Sequence, residues 1–135
     1  MVSKEEMSAW FNSEFPRSRY EIEDFSEDGI IIRHRVDERD LRPGGTVSGP
    51  TMMALADTAI YVALLREIGF VALAVTTSLN FNFLRKPVAD ADILAKCKLL
   101  KLGKSLAVGE VSIYSEGDDA PVAHAVGTYS IPPKR

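Results

Sequence analysis

The sequence predicts an α+β fold: one antiparallel sheet of about six strands wrapped around a single long central helix, with a short helix at the N-terminus. Two observations carry this. From position 51 to 68 the chain is apolar nearly all round when wound as a helix, which marks a helix buried on most sides. The segments on either side read as strands joined by short turns, and short joins make neighbouring strands antiparallel. A sheet curled about the helix covers the helix and gives the inner face of every strand something to bury against.

The elements follow in order. Ser3-Lys4-Glu5-Glu6 has the form of a capping box and starts a helix that runs to about Phe15, where Pro16 ends it. Met7, Trp10 and Phe11 fall at i, i+3, i+4 and give this helix one apolar stripe. Residues 20–25 and 30–36 are strand-like, and Ser26-Glu27-Asp28-Gly29 between them is turn chemistry, so they form a hairpin. Residues 41–50 make a loop dense in glycine and proline. Pro50 suits the first turn of the long helix and Gly69 its far end. Four strand-like runs close the chain, at 74–83, 93–102, 105–114 and 121–131, separated by Lys86-Pro87, by Gly103 and by residues 116–119.

The chain has 135 residues, of which 46% are hydrophobic, and this reads as a single domain over 1–135 with one core. Net charge is −3 and no basic stripe runs along any element, which argues against nucleic acid as a partner. Arg85-Lys86 and Lys101/Lys104 are small basic spots, suited to a phosphorylated small molecule or simply solvated. Cys97 is the sole cysteine, and His34 and His124 stand far apart, so no disulfide and no metal site are expected. The start of the chain lacks a signal-peptide pattern, and no run of about 18 apolar residues marks a membrane span; a cytoplasmic protein is the expectation. The sheet keeps an open edge and the helix an uncovered side, so pairing with a second copy is expected.

Asp57 is the first anomaly. It stands in mid-helix within Ala54-Leu55-Ala56-Asp57-Thr58-Ala59-Ile60, where an ionised carboxylate is out of place. It is either a half-buried aspartate satisfied by Thr58 or by a neighbouring chain, or a general base or nucleophile tuned by apolar surroundings. The loop before the helix favours the second reading. A helix starting directly after Ser48-Gly49-Pro50 presents unpaired N–H groups and a positive dipole end, and Gly49 lets another molecule approach the backbone. Such a site stabilises the oxyanion formed when a thioester carbonyl is attacked, although glycines there also serve a tight turn.

Gly49 and Asp57 are eight residues apart, roughly 12 Å along a helix. One carbonyl group cannot reach both. If both act on one thioester, Gly49 of one subunit works with Asp57 of another.

These residues resemble a known family. The segment Arg42-Pro-Gly-Gly45-Thr-Val-Ser48-Gly49-Pro50-Thr-Met-Met-Ala-Leu55-Ala-Asp57-Thr-Ala59 is similar, without a gap, to the motif Asn-x-x-Gly-x-x-His-Gly-Gly-x-x-x-x-Leu-x-Asp-x-Ala of the hotdog-fold acyl-CoA thioesterases of the phenylacetate-pathway type. Residues 76–87 resemble the family's strand after the helix, Lys101-Leu-Gly103-Lys104 its Gly-Arg turn, and residues 123–129 its last strand. The resemblance spans about residues 20 to 131.

It implies a hotdog fold, assembly as a homodimer or homotetramer, and hydrolysis of an acyl-CoA thioester with a medium-chain or aromatic acyl group. Coenzyme A would be part of the substrate and no cofactor would be needed. Asp57 would activate water or attack the thioester, and the Gly49 amide would polarise the carbonyl. Ser48, Pro50 and Thr51 would line the helix start. A hydroxyl on the following strand, Thr76 or Thr77, would orient the water or Asp57; alternation sets the two on opposite faces, and Thr77 is the one expected to point inward. Arg85, Lys86 and Lys104 would meet the coenzyme A phosphates. The chain departs from the motif at Ser48 for histidine, Arg42 for asparagine and Pro50 for glycine. Arg42 would pair with Asp57 of a partner or attract an anionic acyl group.

Two other readings compete. A non-catalytic hotdog module would bind acyl-CoA or a related ligand without turnover, and the loss of the motif histidine and asparagine favours it. A hotdog dehydratase or hydratase would need a histidine where Ser48 stands. Ser48 as a serine nucleophile lacks the sharp elbow and a suitably spaced histidine. His34 and His124 read as ordinary strand residues, and Cys97 as buried and inert.

Overall fold

The computed structural model describes residues 1–133. Helix α1 (Lys4–Glu14) begins at the expected capping box: the Glu6 amide donates to Ser3 Oγ and the Ser3 amide to Glu6 Oε1, both at 3.1 Å. It buries Met7 and Phe11 against the rest of the chain, and its Trp10 stacks on Phe70 with ring centroids 4.9 Å apart. The hairpin of β1 (Tyr20–Ser26) and β2 (Gly29–His34) follows as expected.

After β2 the chain departs from the sequence expectation. Residues 35 and 36 are not strand; a 3₁₀ turn over Glu38–Asp40 leads into a two-stranded hairpin, β3 (Leu41–Arg42) with β4 (Thr46–Val47). The reason is local. Asp37 caps the 3₁₀ turn, and Arg42-Pro43-Gly44-Gly45 closes on a bond from the Gly45 amide to the Arg42 carbonyl at 3.0 Å. Proline precedes a glycine with φ of +102°, the pattern of a type II turn.

Asp40 locks this segment to β1 and β2. Its carboxylate receives both guanidinium nitrogens of Arg19 at 2.7 and 3.0 Å, the Asp37 amide at 2.9 Å, and lies 2.9 Å from His34 Nε2. Burial alone would raise this carboxyl; the bonds from Arg19, the Asp37 amide and His34 outweigh it and hold Asp40 well below the usual carboxylate range. A folded-state pKa below the unfolded value of about 3.9 gives stability that is fully present above that value and is lost as pH falls through the folded one. We expect the thermal midpoint to drop below about pH 4, and Asp40→Asn to flatten that part of the pH profile. Melts of both proteins between neutral and acid pH check this.

Helix α2 (Gly49–Ile68) is the central element, ended at Gly69, which adopts φ of +90°. Strands β5 (Val75–Phe83), β6 (Ile93–Leu102), β7 (Leu106–Ser115) and β8 (Ala123–Ser130) complete the fold. The main sheet has six strands in the order β1-β2-β6-β7-β8-β5, every neighbouring pair antiparallel. The inner face of this sheet packs against α2, whose Leu55, Ala56, Ala59, Ile60, Val62, Leu64 and Leu65 are wholly buried. Each of the larger of these side chains contributes about 1.5–3 kcal/mol by leaving water.

Two glycines set how near the helix comes. Gly109 on β7 and Gly127 on β8 are cross-strand partners, and Ile60 fills the notch between them. A Cβ on Gly109 would lie 3.0 Å from Ile60 Cγ2, and one on Gly127 2.6 Å from Ile60 Cδ1. No other residue type leaves that space open.

Candidate active site

At the start of α2, Ser48 is the N-cap. Its Oγ accepts from the Thr51 amide at 3.3 Å and shares a hydrogen bond with Thr51 Oγ1 at 2.8 Å. The hydroxyls of Ser48 and Thr51 are thus turned on each other, and Pro50 stands exposed in the first turn. Gly49 is the first helical residue, and a Cβ there would lie 3.1 Å from the Phe83 ring at the end of β5. Its lack of a side chain therefore has a reason inside this chain, the seat of Phe83. Arg42 is exposed on the β3–β4 turn.

Pro50, Met53, Ala54 and Asp57 follow one another at i, i+3, i+4 and i+7 on an outer face of α2 where the first three are exposed and Asp57 is half-buried; Met53 is 40% exposed. Asp57 thus stands where the buried helix meets the outside. Thr76 Oγ1 donates to its Oδ1 at 2.5 Å, and the Tyr129 hydroxyl donates to the same oxygen at 2.9 Å while lying 3.1 Å from the Asp57 carbonyl oxygen. Among the described residues no hydrogen bond or ion pair reaches Oδ2. Asp57 is half-buried, but Thr58 is not its partner: Thr58 Oγ1 donates to the Ala54 carbonyl at 2.8 Å.

The threonine that meets Asp57 is Thr76, which corrects the expectation for Thr77. The cause is a bulge in β5. Thr76 pairs with Tyr129 and Ser78 with Thr128, so Thr77 is an extra residue with no partner of its own. Thr77 Oγ1 turns instead to the Thr128 carbonyl at 3.3 Å. Cross-strand partners share a face, and Tyr129 faces the helix, so Thr76 does too.

Sequence reasoning missed Tyr129. The signal was present in β8, where Ala123, Ala125, Gly127 and Tyr129 alternate as an inward row. A tyrosine closing such a row must find a partner for its hydroxyl. Burial raises its pKa well above that of an ordinary phenol, and the negative charge of Asp57 adds to this, so Tyr129 remains a donor.

A cleft of about 380 Å³ opens over Asp57, Thr76 and Tyr129. Its walls are Phe11 of α1, Phe15 just past its end, Tyr20, Tyr61, Ala74 and Val75, so aromatic rings dominate. A larger groove of about 700 Å³, lined by Arg66, Cys97, Lys98 and Lys101, lies toward the C-terminal end of α2 against the β1–β2 turn. Size does not make it the site: none of its residues forms a convergent polar constellation like that on Asp57, and burial pushes the Cys97 thiol up to about 12, leaving it unreactive. His34 is buried against Asp40, and His124 pairs with Glu110 at 3.1 Å; neither touches Asp57.

The strand register divides the remaining predicted residues between two ends of the sheet. Leu102, Ala107, Tyr129 and Thr76 form one cross-strand row, so the exposed Lys104, two residues past Leu102, lies at the Asp57 end. Ala95, Ile113, Ala123 and Phe83 form another row at the far end, where Gly49 and the exposed Arg85 and Lys86 lie. Within one chain, Gly49 and Asp57 serve different ends, as their spacing along α2 requires.

Three comparisons bear on this architecture. The family model described as Thioesterase superfamily matches residues 44–122, which include Gly49, Asp57, Thr76 and the strands to the start of β8. A Haemophilus influenzae protein named "Putative esterase" is 32% identical over 107 residues, 78% of this chain and 75% of its own length. Among solved structures, a "putative thioesterase" from Silicibacter sp. TM1040 superposes with a TM-score of 0.91 at 47% identity, covering 98% of this chain and 94% of that one. A Streptococcus pneumoniae "Hypothetical Thioesterase Protein", solved with coenzyme A, shares the fold at a TM-score of 0.73 and 22% identity, over 86% of this chain and 90% of its own. No helix among the described residues is long and apolar enough to cross a membrane. With a six-stranded antiparallel sheet wrapped on one central helix, and a family match over more than half its length, the chain belongs to the hotdog-fold thioesterase superfamily.

Proposed function

We propose that this protein hydrolyses an acyl-CoA thioester to a free acid and coenzyme A, with Asp57 as base or nucleophile. The observation that carries the reading is the Asp57 carboxylate itself. It has one oxygen held by Thr76 and Tyr129 and one free oxygen, on the uncovered face of a buried helix beside an aromatic cleft. As a base, Oδ2 takes a proton from water while the water oxygen attacks the thioester carbon; the C–S bond then breaks and the proton leaves with the thiol. As a nucleophile, Oδ2 attacks the thioester carbon and the C–S bond breaks to expel the thiolate, leaving an anhydride on Asp57; water then cleaves the anhydride to the free acid, regenerating the carboxylate, and a proton from that water goes to the thiolate. The aromatic walls suit an aromatic or medium-chain acyl group. The superfamily relative solved with coenzyme A supports the thiol half.

The oxyanion donor is the Gly49 amide of a second subunit. Strand β5 is a free edge of the sheet, and it lies beside the uncovered face of α2; Val75 and Phe83 are 55% and 53% exposed. Two β5 edges paired antiparallel about a two-fold axis set the Thr76 end of one strand opposite the Phe83 end of the other. Asp57 of one protomer then faces Gly49 of its partner. Lys104 of the first protomer gathers with Arg85 and Lys86 of the second, as a cradle for the coenzyme A phosphates. A homodimer is therefore the smallest active unit, in a cytoplasmic protein that also assembles as a homotetramer. Ser48 orders the helix start, and Arg42 stands at its rim to meet the partner or an anionic acyl group.

Complementation tests this. Asp57→Asn and Gly49→Pro, the latter removing the amide donor at the first helical position at the expense of a close contact with the Phe83 ring, are each expected to be nearly inactive. Co-expressed in equal amounts, they assemble at random; half the dimers are mixed, each with one of two sites intact, and activity returns to about a quarter of wild type. Activity no greater than the sum of the two parents would sink the shared site. A wild type that releases no thiol from any aryl- or medium-chain acyl-CoA, yet binds coenzyme A, would establish the non-catalytic module instead.

A further inference from the structure

Resting on that reading of Asp57, we propose that Tyr129 is a positioning residue of the reaction: with Thr76 it pins Oδ1, so that Asp57 presents Oδ2 alone to the thioester. Tyr129 is 3% exposed, so its hydroxyl had to find a partner, but a partner alone does not explain the geometry. Both donors, from two strands, end on the same carboxylate oxygen, at 2.5 and 2.9 Å. Thr76 is exposed and could be satisfied by water, yet it donates to the oxygen that Tyr129 already holds rather than to the other one. Converging on Oδ1, they stop the carboxylate from turning and spare Oδ2.

The placement is built from the fold. Tyr129 is two residues beyond Gly127 on the same inward row of β8, and Asp57 is one turn of α2 before Ile60, which sits in the Gly109–Gly127 notch. The notch draws the helix onto the sheet at the point where the phenol must span to the carboxylate. The β5 bulge does the same for Thr76, holding it as the cross-strand partner of Tyr129.

Tyr129→Phe removes one oxygen and keeps the ring. With the acyl-CoA on which the wild type is most active, kcat is expected to fall about tenfold to a hundredfold with KM little changed. A readout independent of turnover is the NMR resonance of the Asp57 carboxyl carbon at neutral pH in protein labelled at aspartate, assigned with Asp57→Asn; it should change position in Tyr129→Phe, which loses one of the two donors to Oδ1. Tyr114→Phe, on a ring that instead lies under Lys96, is expected to change neither. A folded Tyr129→Phe with wild-type kcat and an unmoved Asp57 carboxyl resonance overturns the inference while leaving thioester hydrolysis in place. A wild type without thioesterase activity fails the functional reading first, before any variant is assayed, and removes the reaction that Tyr129 would serve.

Discussion

Asp57→Asn should lower kcat/KM on acyl-CoA by about a thousandfold, within the range that a positioned general base supplies, while leaving the fold and the assembly unchanged. Asparagine has the shape of aspartate and keeps one acceptor oxygen. Thr76 and Tyr129 are both donors to Oδ1, so they select the amide orientation that leaves the oxygen with them and turns the NH₂ toward the cleft. The group facing the thioester then has no lone pair to take a proton or attack a carbonyl. Asp57→Ala is a coarser experiment, because it strands the buried Tyr129 hydroxyl without its side-chain acceptor, at about 1–3 kcal/mol. Thiol release measured with a chromogenic reagent gives the rate, and a thermal melt with size-exclusion chromatography shows that the protein is intact. An Asp57→Asn protein that keeps more than about a tenth of wild-type activity would mean that another group performs the step. Coenzyme A binding should survive the substitution, since the charges assigned to its phosphates, Arg85, Lys86 and Lys104, are exposed and the substitution leaves them unchanged.

Much of this was legible in the sequence, and the parts that were not share a cause. Ser3 with Glu6, and Pro50 with Gly69, are local signals, so both helices begin and end within a residue or two of their expected limits. The strand runs were set by turn residues and alternation, which are local as well, and β6 matches its expected bounds. Asp57 stood out because its immediate neighbours are apolar. Thr77 was preferred over Thr76 on the assumption of unbroken alternation, and a single-residue bulge defeats that; its position depends on the pairing of β5 with β8, some fifty residues away. Tyr129 escaped for the same reason, since its role depends on what lies across the sheet from Gly127. The β3–β4 hairpin has strands of two residues each, too short for any periodicity to show. Local chemistry fixes elements; the site is made where elements meet.

That meeting is most exposed to a change at Gly127. Gly127→Val should destabilise the protein by about 3 kcal/mol, the upper part of the usual cost of overpacking a core, and lower its activity with it. The backbone does not object, because Gly127 is not among the residues with positive φ; the obstacle is space. The new Cβ alone would lie 2.6 Å from Ile60 Cδ1, 3.1 Å from Leu79 Cδ1 and 3.4 Å from the Ser78 carbonyl oxygen, before its two methyls are placed. Ile60 has no exposed surface and Gly109 already grips its Cγ2, so the side chain has nowhere to swing. Helix α2 must retreat from β8, and the retreat lengthens the Tyr129–Asp57 bond one helical turn away. The cause is separable from a general loss of packing by a second substitution. Ile60→Ala alone should cost about 2–5 kcal/mol through the cavity it leaves. In the Gly127→Val background the valine methyls enter that cavity, and the double variant should be more stable than the summed single effects by about 1–3 kcal/mol. Urea unfolding of the four proteins at one fixed concentration measures the coupling, the fixed concentration being required because assembly contributes to stability. Strict additivity would show that Ile60 and Gly127 do not share the notch. Coupling with recovered thioester hydrolysis would show that the closeness of helix to sheet, set by two glycines, is what brings Asp57 within reach of Tyr129.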